Sequence, residues 1–108
     1  MRHILVIAML AALATPAVAE DVRTAAIAAS RPLFVCATES AGTLAIALPD
    51  ETDEYILTAV MADCFGIRDE VIANVRAIMG DQYPPNFSDA LDARTAELTL
   101  AAYAKGKQ

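Results

Sequence analysis

Histidine and lysine are almost missing from this chain. Of its 108 residues one is histidine, His3, and both lysines, Lys105 and Lys107, lie in the last four positions. If His3 leaves with a cleaved N-terminal segment, the mature chain has no Ser-His or Cys-His nucleophile and none of the usual imidazole ligands for zinc or haem. Lysines confined to a tail make a buried serine–lysine arrangement improbable. Glycine is equally sparse: the four residues stand singly at 42, 66, 80 and 106, so no Gly-rich loop is available to cradle a phosphate. Basic residues number 8 against 14 acidic ones, a net charge of -6. That balance argues against nucleic acid, whose phosphates require clustered Lys and Arg, and against an anionic membrane surface. The expectation is a chain that is no enzyme and holds neither cofactor nor metal.

What is present begins at the front. Met1-Arg2-His3 is a short basic stretch, Ile4 to Ala14 is an uninterrupted apolar run, and Ala17-Val18-Ala19 is a small-x-small triplet. This order predicts a secretory signal peptide over residues 1–19, cleaved before Glu20. The run is too short to span a hydrocarbon core, which needs about twenty residues. The mature chain, 20–108, is then a single small domain, periplasmic or secreted, with no stable membrane anchor.

Alanine dominates that domain and β-branched runs are scarce, which favours helix throughout. The expected fold is all-α: a small bundle of four to five short helices. Arg31-Pro32 should end a first helix near Ser30, because the residue before proline is pushed out of the α region. Thr38 to Leu48 reads as a second helix stopped by Pro49, although Gly42 leaves a short strand over 43–48 open. Asp50 can cap a third helix, closed by Gly66. Ile67, Val71, Ile72, Val75, Ile78 and Met79 mark one face of a fourth, ended by Gly80. Asn86 and Asp89 resemble a capping box for the last, which should carry Leu91, Leu98, Ala101 and Ala102 inward, before a frayed tail from Lys105.

Cys36 lies thirteen residues before Pro49 and Cys64 fourteen after Asp50. Two antiparallel helices turning there would bring both sulfurs to the same open end, and an oxidising compartment would join them. The predicted Cys36–Cys64 disulfide ties a helical hairpin. Its alternative, two free thiols, lacks a C-x-x-C spacing or a neighbouring histidine to activate a sulfur.

Carboxylates are the only abundant reactive type left. The run Asp50-Glu51-Thr52-Asp53-Glu54 lacks the calcium-loop pattern and suits a helix start. Glu39 and Asp63 should approach one another at the open end of the hairpin, near Arg31 or Arg68, most simply facing water. Tyr55, Phe65, Phe34 and Phe87 are expected in the core. Between Tyr55 and Phe65 only Thr58 and Asp63 are polar, so this helix needs cover on nearly every side. An uncovered strip formed by Leu44, Leu48, Ile56, Val60 and Met61 is the expected partner face. The function this favours is a non-catalytic exported module that binds a protein, as an inhibitor, immunity or adaptor protein or holdase, or that associates with itself. The alternative is a carrier of a small apolar ligand between its helices; an enzyme relying on carboxylates alone comes last.

Overall fold

A computed structural model describes residues 19–108; the segment 1–19, expected from the sequence to be a signal peptide, lies outside them but for Ala19. The described chain is a small all-α bundle of four helices, α1 (Glu20–Ala47), α2 (Asp53–Asp63), α3 (Phe65–Met79) and α4 (Phe87–Gly106), with one 3-10 turn at Gly80–Gln82. Among the described residues no helix is long and apolar enough to cross a membrane.

The first helix departs furthest from expectation. Rather than two short helices broken at Pro32, a single helix of 28 residues runs through the proline. A proline inside a helix removes one hydrogen bond and crowds the carbonyl four residues earlier, at a cost of about 3 kcal/mol. The continuous helix keeps both halves in phase on one core: Ala26, Ser30, Leu33, Ala37, Ala41 and Ala45 are all buried. Breaking it at Ser30 would throw Ala26 and Ser30 out of register with Leu33 and the alanines. Hydroxyls inside α1 find partners on the same helix, Ser30 Oγ donating to the Ala26 carbonyl and Thr43 Oγ1 to that of Glu39. The stretch 43–47 is therefore helix and not strand.

Alanine makes α1 the spine of the bundle. Its small buried side chains let α3 and α4 lie close, and these are its most extensive neighbours. At one crossing, a Cβ on Gly106 would stand 2.7 Å from the Ala45 Cβ, so Gly106 is packed helix and not frayed tail. The other end of α3 closes as expected at Gly80, the one positive-φ glycine among the described residues, with φ of 55°.

Three further boundaries differ. Thr52, not Asp50, caps α2, its hydroxyl accepting from the Tyr55 amide at 3.1 Å. That helix ends at Cys64 and α3 starts at once, so Gly66 lies in the first turn of α3 instead of closing its predecessor. The capping box at α4 is not made: Asn86 precedes the helix without a side-chain bond to it. There the entry is fixed by the Phe87 amide bonding the Pro84 carbonyl and by Tyr83, whose ring packs 5.4 Å from that of Phe87 under the Arg76 guanidinium.

The buried face of α4 is Leu91, Thr95, Thr99 and Tyr103; Leu98 and Ala102 are half-buried and Ala101 is exposed. Thr95 and Thr99 tolerate full burial because each hydroxyl donates, at 2.7 Å, to the carbonyl one turn back. Tyr55 and Phe65 are exposed, while Phe34 and Phe87 pack partly buried against the core.

The disulfide is formed between Cys36, midway along α1, and Cys64, at the end of α2. It ties α2 antiparallel to the C-terminal half of α1, as the hairpin requires. Across the bundle Arg68 of α3 grips Asp92 of α4 through two parallel bonds, Nε to Oδ1 at 2.7 Å and Nη2 to Oδ2 at 2.9 Å. This bond to Asp92 is the main reason that the Arg68 pKa is raised above its ordinary value.

Candidate functional site

The expected partner strip does not exist as one surface. Ile56 and Val60 are fully buried, because α2 turns its Ile56–Val60–Cys64 edge into the shared core. Leu44 and Met61 are half-buried, and Leu48 is exposed at the end of α1. The other helices cover α2 more completely than its shortage of polar residues suggested.

A different surface is left open. Beside the disulfide, an open groove of about 1010 Å³ runs along α1 and is walled by α2 and the start of α3. Its α1 side runs from Ala28 through Pro32, Val35 and Cys36 to Thr43 and Leu44; Ala59, Asp63 and Ile67 form the opposite wall. Of the five residues in the expected strip, Leu44 alone lines it. At 1.5 Å per residue, Ala28 to Leu44 spans about 24 Å of helix axis.

Helical geometry explains why this face stays bare. The core occupies one side of α1, and residues 28, 35, 39 and 46 turn to the other, where they are exposed. Between Arg23 and Asp50 that helix carries only two charges, Arg31 and Glu39. A solvent-facing surface of alanine, proline, valine and isoleucine with two charges is unusually apolar for a helix of this length. Val35 is 45% exposed and Ile46 80%. Pro32 adds a second peculiarity, since the Ala28 carbonyl has no amide at position 32 to bond. Ala28 and Pro32 both line the groove on its α1 side.

Glu39 and Asp63 are brought to one groove as the hairpin implies, together with Arg31, and all three side chains face solvent. Arg68 is elsewhere, held by Asp92. Among the described residues none of Arg31, Glu39 and Asp63 forms an ion pair. The groove thus presents three unpaired charges on an apolar lining. An Asp63 carboxylate oxygen and both sulfurs of the disulfide lie within 4.8 Å of one another. With the sulfurs joined, neither offers the thiolate that would ligate a metal. The acid run from Asp50 to Glu54 lies at the α1–α2 turn and the first turn of α2, away from the groove, where Asp53 and Glu54 complement the helix dipole.

Sequence reasoning reached Arg31, Glu39, Asp63 and Cys36 but not Ala28, Pro32, Val35 or Thr43. Reading Pro32 as a break placed residues 28 and 35 on different axes. The signal that could have found them was the scarcity of charge over 24–49 on one continuous helix. No family model, curated protein or solved structure matches the chain.

Proposed function

We propose that the mature chain is a small exported binding module that seats a segment of another protein in the α1–α2–α3 groove and performs no chemistry on it. The observation that carries this reading is the groove itself: a largely apolar, disulfide-braced groove, open to solvent, whose α1 wall spans about 24 Å. Sites for small ligands enclose most of the ligand surface, whereas a long open channel suits one face of a helix or an extended segment. The disulfide fits export to an oxidising compartment, as the N-terminal signal predicts. A carrier of a small apolar ligand is the second reading, favoured only by the apolar lining.

Native mass spectrometry of the chain isolated from its own compartment separates the two, with Val35→Asp as the blocked-groove control. Val35 is exposed, so the substitution should leave the fold intact. The expected result is a second polypeptide bound to the parent chain and lost from the variant. An added mass of a few hundred daltons, or a polypeptide retained by the variant, would overturn the proposal.

A further inference from the structure

The charges on the groove define the chemistry of its occupant. Arg31 and Glu39 stand eight residues apart on α1, about 12 Å along its axis. On the opposite wall, Asp63 lies beside the disulfide and so at the level of Cys36, between them. None of these side chains is neutralised within the described chain. From one end the groove therefore reads positive, then negative on the far wall, then negative on the near wall.

Resting on the reading of the groove as a protein-binding site, we infer that the occupant is a basic amphipathic helix. It places an apolar stripe along Pro32, Val35, Leu44 and Ile67, two cationic side chains against Asp63 and Glu39, and one acidic side chain about eight residues from the farther cation, against Arg31. Three observations converge on it. The groove is open to solvent and its α1 wall spans about 24 Å, so a helix of about sixteen residues can lay one face along it while the rest stays in water. Acids outnumber the single cation in the groove, and the whole chain carries a net charge of -6, so a basic partner is attracted from a distance. The same net charge opposes a second copy of this chain as occupant.

The test uses the oxidised mature chain and two synthetic amphipathic peptides of equal length and leucine stripe, with binding read by fluorescence anisotropy. One carries two lysines and one glutamate at the stated spacing; in the other each sign is reversed. The first should bind about ten-fold more tightly at low salt, with the preference shrinking as salt rises. The double variant Glu39→Lys, Asp63→Lys should abolish or invert the preference without altering the melting curve. Val35→Asp should weaken both peptides. Equal affinity for the two peptides, both lost in Val35→Asp, would overturn the charge assignment and leave the groove as the binding site. No binding by either peptide at about 1 mM, or binding unaffected by Val35→Asp, would overturn both.

Discussion

The Tyr103 phenolic oxygen accepts the Glu51 amide at 3.1 Å, across 52 positions of sequence. Its hydroxyl proton is donated to the Leu48 carbonyl. One side chain near the end of the last helix thereby fastens both sides of the turn that joins α1 to α2. That turn sets the direction of α2, and α2 forms one wall of the groove. Tyr103 is nearly fully buried, and Lys107 covers its ring at 4.8 Å.

Tyr103→Phe keeps the ring and removes both bonds. Leu48 and Glu51 are not fully buried, so water can replace part of the loss, and a cost of about 1–1.5 kcal/mol is expected. For a domain of this size that lowers Tm by about 5–8 °C. Amide exchange should accelerate at residues 48–52 before the core of α1 opens. Unchanged protection in that turn would show that packing of the ring alone holds it.

Two glycines should respond in opposite directions to the same substitution. Gly42 lies inside α1, and a Cβ there meets nothing within 4 Å. Gly42→Ala should therefore stabilise by about 1 kcal/mol through helix propensity alone. Gly106→Ala drives its methyl to 2.7 Å from the Ala45 Cβ, and neither group can rotate away. Its cost is capped by fraying of the last turn of α4, so a loss of at most about 1 kcal/mol is expected. Denaturant melts of both variants check this; a Gly106→Ala protein as stable as the parent would mean that the α1–α4 contact at this end is loose.

The helical class, the disulfide and the boundary at Gly80 were legible because each depends on local chemistry: alanine content, cysteine spacing and a left-handed turn. Pro32 was misleading because its cost is local while its compensation is not. The penalty of about 3 kcal/mol is visible in the sequence. The gain from keeping Ala26 and Ser30 in register with Leu33 and Ala37 appears only when α3 and α4 are in place. Thr95 and Thr99 were missed for a related reason, since their burial depends on bonds back to their own helix. The expectation that Ile56 and Val60 lie on an exposed partner face fails because both are fully buried; composition shows that α2 needs cover but not that the other helices supply it. The groove residues Ala28, Pro32 and Val35 required knowing that α1 is continuous.

The Asp63 carboxylate beside the disulfide should govern how the bond is cut. Reduction proceeds by thiolate attack on a sulfur, and Cys64 is 1% exposed while Cys36 is half-buried and lines the groove. The accessible sulfur is therefore that of Cys36, approached from the groove, where an anionic reductant meets the negative charge of Asp63 within 4.8 Å of its target. Repulsion over such a distance near a wet surface slows the attack by about three- to ten-fold. Asp63→Asn should raise the rate of reduction by glutathione by that factor, less so at high salt, and leave the rate with a neutral phosphine unchanged. Equal acceleration with both reductants would mean that the substitution merely opens the groove. Once the bond is cut, releasing a loop with a sequence separation of 28 should cost about 3.5 kcal/mol. That is a large part of the 5–15 kcal/mol that holds a domain folded, so the melting curve of the reduced protein should shift strongly downward. Slow cutting and strong dependence on the bond belong together: the carboxylate that would face the cation of a partner also guards the crosslink on which the wall of the groove rests.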